Sequence, residues 1–264
     1  DALIEHDEHD EADDEGEEAE ETLEELVSGA FIFMATAHGT VKKTPLVQFS
    51  KPRSSGLIAL KLEEGDTLIA AAITDGSREV MLFSDGGKVI RFKEGNVRTM
   101  GRTARGVRGM RLQDGQKLIS MLIPEPQAQI LTASERGYGK RTPIDEYPQR
   151  GRGGQGVIAM VSNERNGKLV GAIQVLDGEE IMLISDQGTL VRTRVDEVSS
   201  LSRNTQGVTL IKLASDEVLV GLERVQEPSA VDGDEPDDEA QVEVNVPDAT
   251  ADAGAPADET GNQE

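Results

Sequence analysis

Residues 81–92 read MLFSDGGKVIRF, an apolar run, a polar turn ending in two glycines, and a second run in which apolar and basic side chains mix. Two such runs around a Gly turn specify a β-hairpin, because the tight reversal needs a residue that tolerates positive φ. The phrase recurs as FMATAHGTVKKT at 33–44, ILTASERGYGKRT at 130–142 and MLISDQGTLVRT at 182–193. Its turn glycines, Gly39, Gly87, Gly137 and Gly188, are spaced by 48, 50 and 51 residues. A second set, Gly56, Gly106, Gly156 and Gly207, keeps the same step at 50, 50 and 51.

Each second glycine opens a further strand-like stretch: GLIALKL, GVRGMRL, GVIAMVS and GVTLIKL. A fourth follows in TLIAAAIT, KLISMLIP, KLVGAIQV and EVLVGLERV. Four short strands per unit, with no amphipathic helix between them, is the pattern of propeller blades that bury their faces on one another. The expectation is an all-β core with blades at about 31–78, 79–127, 128–178 and 179–226. Four units are few for a closed ring, so the ring is expected to be incomplete. The Gly-His and Trp-Asp marks of one common propeller repeat are missing, and the chain has no Trp.

Charge divides the 264 residues into three parts. Residues 1–30 hold 15 acidic and no basic side chains, and residues 227–264 hold 13 acidic and no basic ones. The remaining 31–226 carries 22 acidic and all 27 basic residues, a net of +5 within a chain whose total is −23. Dense like charge with few large apolar groups cannot offset the entropy of ordering, so both ends read as disordered. Glu20 to Val27, with Leu23, Leu26 and Val27 on one face, could form a short amphipathic turn. The plain role of such tails is solubility; the active alternative is that the C-terminal one competes for a basic surface.

With no Cys there is no disulfide framework, zinc ribbon or thiol nucleophile, and a cytoplasmic address is the default. Apolar stretches such as 80–83 and 118–123 are far shorter than the roughly 20 residues of a spanning helix. The chain starts at Asp1 without a basic-then-apolar leader, and reads as a fragment of something longer.

Basic residues recur at one place in every unit: Lys42 and Lys43, Arg91 and Lys93, Lys140 and Arg141, Arg192 and Arg194. The loop from there to the second glycine adds Lys51 and Arg53, then Arg98, Arg102 and Arg105, then Arg150 and Arg152, then Arg203. Equivalent blades place equivalent loops on one rim, so these charges are expected to form a curved track that matches the phosphates of a bent duplex. The bland alternative is that they solvate exposed strands. Single-strand binding needs stacking platforms, and Phe 5 with Tyr 2 supplies few, which favours duplex.

The stretches FMATAHGTVKKT, EVMLFSDGGKVIRFKE, GVRGMRL, GYGKRT, GTLVRTRV and RNTQGV resemble the C-terminal domain family of DNA gyrase A across 31–226. The resemblance implies a β-pinwheel, a propeller variant in which neighbouring blades exchange strands, whose outer surface binds and wraps double-stranded DNA. It further implies an ATP-dependent type II topoisomerase, an isomerase, that supercoils DNA negatively. Its remaining partners would be the rest of gyrase A and the whole of gyrase B, with ATP and magnesium bound outside this segment. The family's heptapeptide QRRGGKG belongs in a first blade, and no such blade precedes Phe31. The only similar string, QRGRGGQGV at Gln149 to Val157, keeps Arg152, Gly153, Gly154 and Gly156 but has Gly151 and Gln155 where Arg and Lys are expected.

No catalytic, cofactor-binding or metal-binding residue is expected. SERGYGKRT fails as a phosphate loop, with Ser134 where its first Gly belongs and Arg141 in place of the magnesium-holding Ser or Thr. Glu11 to Thr22 ends in Thr22 where a calcium loop needs a bidentate Glu; His6 and His9 lie among carboxylates and could loosely chelate a transition metal, with flexible acidic solvation the favoured reading. Tyr138 and Tyr147 read as packing or rim residues, and His38 as a turn residue. The competing function is a non-catalytic protein-interaction propeller whose acidic tails recruit basic partners.

Overall fold

The computed structural model describes residues 29–225; the acidic ends, including Glu20 to Val27, lie outside the described residues. The first unit forms β1 (Phe31–Thr36), β2 (Thr40–Pro45) and β3 (Leu68–Thr74). The second forms β4 (Glu79–Ser84), β5 (Lys88–Lys93), β6 (Val107–Arg108) and β7 (Leu118–Leu122). The third forms β8 (Gln129–Ser134), β9 (Tyr138–Pro143), β10 (Val157–Ile158) and β11 (Leu169–Val175). The fourth forms β12 (Glu180–Ser185), β13 (Leu190–Arg194), β14 (Val208–Thr209) and β15 (Leu219–Val225). Short 3-10 turns at Leu46–Phe49, Glu94–Asn96, Ile144–Glu146 and Val195–Glu197 follow the second strand of each unit.

Each hairpin closes in the same way. The backbone N–H of Gly39, Gly87, Gly137 and Gly188 donates to the carbonyl three residues earlier, at 2.9–3.2 Å. That earlier residue is Thr36, Ser84, Ser134 or Ser185, and its hydroxyl adds a second bond across the turn in each unit. Small hydroxyl side chains offer this local pairing without filling the turn.

The strand expected after each second glycine is where sequence and structure differ. Gly56 to Leu62 forms no strand, and in the other units only two residues pair, with the sheet of the preceding unit. The sheets are therefore β3-β1-β2-β6, β7-β4-β5-β10 and β11-β8-β9-β14, followed by a three-stranded sheet β15-β12-β13. Thr40 and Val41 pair with Arg108 and Val107, Lys88 and Val89 with Ile158 and Val157, and Tyr138 and Gly139 with Thr209 and Val208. All pairings within the sheets are antiparallel, and the exchange is that of a β-pinwheel.

The second glycines are required by this exchange. Gly106 and Gly207 have φ of +107° and +77°, and a Cβ there would stand 2.6 Å from the Val41 and Gly139 carbonyl oxygens of the accepting blade. Gly156, at φ +74°, would press a Cβ onto the Val89 carbonyl. Only a residue without a side chain brings the donated strand this close. Gly56 has the same φ, +78°, but nothing lies within 4 Å of its would-be Cβ, because its segment meets no accepting strand among the described residues.

Inner strands β3, β7, β11 and β15 pack in succession, and the cores lie between sheets. Phe33, Val41, Leu82, Phe92 and Met110 fill the first interface; Met81, Phe83, Ile130, Tyr147 and Met160 the second; Leu131, Ile181, Leu183, Ile211 and Leu222 the third. Apolar side chains on both faces of an interior blade thus explain why β4 and β8 read as continuous hydrophobic runs and not as alternating ones.

Candidate nucleic-acid interface

The basic positions fall into two physical classes. The residue four after each turn glycine is Lys43, Arg91, Arg141 or Arg192, and in the first three units it reaches forward into the next blade. Lys43 Nζ lies 4.9 Å from the centre of the Phe31 ring and donates to the Glu94 carbonyl at 3.5 Å. Arg91 donates to the carbonyls of Ile144 and Tyr147 at 3.0 and 3.2 Å and pairs with Glu79 at 2.6 Å. Arg141 donates to the Val198 carbonyl at 2.7 Å and to Asp177 at 2.5 Å. Each cation thereby adds a charged donor to carbonyl oxygens in or beside the next blade's 3-10 turn; Glu94 O and Ile144 O also accept the turn's own N–H from Val97 and Tyr147. Arg192, in the last described blade, pairs with Glu180.

One residue earlier, Lys42 and Lys140 are fully buried. Lys42 Nζ donates to the carbonyls of Ala59, at 2.6 Å, and Arg102. Lys140 Nζ donates to the Ser202 carbonyl at 2.5 Å. Burial lowers the Lys140 ammonium to about 8, opposed by the Glu146 carboxylate and aided by Arg203; Lys42 is lowered by burial and by Arg102. Lys42, Lys43 and Lys140, expected on a DNA-facing rim, are thus enclosed in the protein, and Arg91 and Arg141 keep only 17% and 11% of their side chains exposed. The expectation of DNA contact at these five positions is corrected. The second strand is not an edge, since the donated strand and the next loop cover it.

The loop residues behave otherwise. Lys51, Arg53, Lys93, Arg98, Arg105, Arg150, Arg152 and Arg194 are exposed, while Arg102 and Arg203 are half-buried. Arg105 lies 3.6 Å from Glu63. Arg152 donates to the carbonyls of Asn96 and Arg108 at 2.8 and 3.0 Å, and Arg203 donates to Ile158 at 3.2 Å, so both lie along a donated strand of the preceding unit. The Gln149 to Val157 loop is bound to that strand's neighbours by Gly153 N–H to Gly109 O at 2.6 Å and Arg111 N–H to Gly154 O at 2.8 Å. It joins the second and third blades and carries Arg150 and Arg152 over the joint.

Arg108 and Arg111, both exposed at this joint, lie beyond the second glycine and so outside the loops expected to bind. A signal for them was present. Segments 47–62, 95–113, 147–163 and 198–215 carry twelve basic residues and no acidic one. Five of the twelve, Arg98, Arg102, Arg105, Arg108 and Arg111, lie in the second segment. An acid-free loop repeated on successive blades concentrates positive charge, offset at Arg105 by the pairing with Glu63, and is suited to a polyanion.

Of the tyrosines, Tyr147 is buried edge-on against Phe83, with ring centres 6.3 Å apart, and burial pushes its phenol up to about 12. Tyr138 is half-buried under the Arg165 guanidinium at 4.8 Å. His38 is exposed in its turn, with Nδ1 3.9 Å from Asp66.

The family described as DNA gyrase C-terminal domain, beta-propeller, matches residues 30–75, 78–125, 128–175 and 179–226. The chain belongs to this family. DNA gyrase A of Pseudomonas aeruginosa is 74% identical over 238 residues, 90% of this chain and 26% of the relative. That of Escherichia coli K12 is 53% identical over 232 residues, 85% of this chain and 26% of the relative. The chain thus spans about a quarter of the length of the curated relatives it matches. Among solved structures, a DNA gyrase A C-terminal domain superposes with a TM-score of 0.67 at 28% identity, covering 75% of this chain and 67% of that one. A DNA topoisomerase IV C-terminal domain gives 0.71 at 24% identity, covering 75% and 62%, and bears on the fold alone. Membership in the gyrase C-terminal family agrees with the exchanged strands described above. Among the described residues no helix is long and apolar enough to cross a membrane.

Proposed function

We propose that this chain is the part of a DNA gyrase A protein that binds duplex DNA and curves it along the blade rim. The observation that carries the reading is the set of acid-free loops on successive blades, with Arg98, Arg105, Arg108, Arg111, Arg150 and Arg152 exposed on the second and third. Lys51 and Arg53 extend this set to the first blade and Arg203 to the fourth. Phosphates along a duplex release counterions to such a surface without demanding base contacts. Phe33, Phe83, Phe92 and Tyr147 are buried and unavailable for stacking, which supports duplex over single strand.

Within the whole enzyme the segment would support ATP-dependent negative supercoiling by a type II topoisomerase in the cytoplasm. Its partners would be the remainder of gyrase A and the whole of gyrase B. ATP and magnesium would be bound by other parts of that enzyme, and no residue of this segment takes a catalytic role. The C-terminal acidic tail would modulate wrapping by competing with phosphates.

Titrating linear duplexes of increasing length tests the reading. Affinity should grow with length and weaken steeply with salt. Negligible affinity at moderate salt would overturn it in favour of a protein-docking propeller.

A further inference from the structure

We propose that Lys42 and Lys140 are positioning residues for DNA binding, each gripping from inside the backbone of a rim loop and setting an arginine of the next blade, Arg102 or Arg203, at the surface. This rests on the DNA-binding reading above and deepens it.

The repeat exposes the arrangement. Three residues after the turn glycine stand Lys42, Ile90, Lys140 and Val191, so the lysine occurs in alternate units. Four residues before the second glycine of the following unit stand Arg102, Arg152 and Arg203. Lys42 Nζ donates to the carbonyl of Arg102 itself, and Lys140 Nζ to that of Ser202, immediately before Arg203. The flanking strand residues complete each grip: Met100 N–H donates to Lys43 O at 2.8 Å, and Thr142 Oγ1 to Leu201 O at 2.8 Å. Where Ile90 replaces the lysine, the following loop is held from outside by Arg152 and by the backbone bonds of Gly153 and Gly154. Loops two and four thus gain a buried cation that loop three lacks, while the rim guanidinium that holds loop three has a counterpart in loop four, where Arg203 donates to Ile158 O.

A buried ammonium is costly unless it serves a bond that nothing else supplies. Here it fixes a loop otherwise rich in Gly, Ser, Thr and Arg, and so removes freedom that DNA would have to quench on binding. It also couples the two sites electrostatically. Arg203 disfavours the charge on Lys140, and Arg102 that on Lys42. A phosphate beside either arginine would relieve that repulsion and strengthen the grip. Around Lys140 the other charged or titratable groups are Glu146, which favours the ammonium, Arg141 on the same strand, and the neutral Tyr147 phenol.

The test compares the full chain with Lys140→Met, Arg203→Ala and the double variant, using a linear duplex of about 150 base pairs, one persistence length. Loss of one phosphate contact is expected to weaken binding about threefold to tenfold in Arg203→Ala. Lys140→Met should lose a similar factor, and the double variant should lose no more than Arg203→Ala alone. Lys42→Met with Arg102→Ala should behave in parallel. A second arm leaves the core intact: between pH 7 and 9 the parent's affinity should fall more than that of Arg203→Ala, which has lost the arginine that Lys140 positions. Additive losses, a silent Lys140→Met beside a weakened Arg203→Ala, or equal pH profiles would overturn the positioning role. Absence of duplex binding by the parent would instead overturn the reading on which it rests.

Discussion

The guanidinium of Arg152 crosses a blade boundary and donates from Nη1 to the backbone carbonyl of Arg108 at 3.0 Å. Two rim arginines, 44 positions apart in sequence, are thereby held side by side where the third blade's loop overlies the strand that the second blade donates. Arg108, Arg111 and Arg150 are also exposed, and the Arg111 N–H donates to Gly154 O of the same loop at 2.8 Å. Replacing Arg150 and Arg152 with alanine should weaken duplex binding and reduce the salt slope by about two. Filter binding across a salt series measures both, and unchanged values would make the loop purely structural.

Arg91 should behave oppositely. It links Glu79 to the Ile144 and Tyr147 carbonyls of the next blade, so Arg91→Leu leaves the Tyr147 carbonyl and the Glu79 carboxylate without this donor, while Ile144 O keeps the Tyr147 N–H. A loss of about 2–3 kcal/mol in unfolding free energy is expected, with no change in salt slope. Urea denaturation beside DNA titration separates the two effects. A reduced slope at full stability would return Arg91 to the DNA-facing set.

The exchange of strands predicts unequal costs at equivalent glycines. Gly156→Ala combines a left-handed backbone with a collision against the Val89 carbonyl and should cost about 2–4 kcal/mol. Gly56→Ala has the same backbone but open space, and should cost about 1 kcal/mol. Equal costs in chemical denaturation would show that strand donation adds nothing to the requirement for glycine.

Four hairpins and four inner strands were legible in the sequence, because turn glycines at a constant interval and apolar runs are both local signals. The donated strand was not legible in its extent: two paired residues leave almost no periodic trace, and their partner lies in another unit. The basic pair misled for a related reason. Lys42 on an enclosed strand has the same local neighbours as a lysine on an edge, and only the covering loop, 60 residues later, distinguishes them. Arg108 and Arg111 could have been found, since the acid-free run continues through both.

Stability should depend on pH through Lys140. Its ammonium is lowered by burial to about 8 from an ordinary 10.5. Between these values the unfolded chain binds more protons than the folded one, so the parent gains stability as pH rises across that window. Measured against Lys140→Met, the parent should gain in unfolding free energy from about pH 8 to about pH 10, the reverse of the fall expected in DNA affinity. Parallel stability curves for the two proteins would contradict an enclosed, charged Lys140.

The C-terminal segment 227–264, outside the described residues, holds 13 acidic side chains and no basic one. Removing it should tighten duplex binding, since like-signed competition for the rim is lost. Unchanged affinity after truncation would assign the segment to solubility.

The most direct measurement is the slope of log affinity against log salt for the full chain on a linear duplex, with and without Arg98, Arg105, Arg108 and Arg111. The account predicts a steep negative slope that becomes shallower by about three to four when these four become alanine in a chain that still unfolds cooperatively. A slope that stays the same, or a parent chain that shows no salt-dependent binding, would contradict a phosphate track on the acid-free rim.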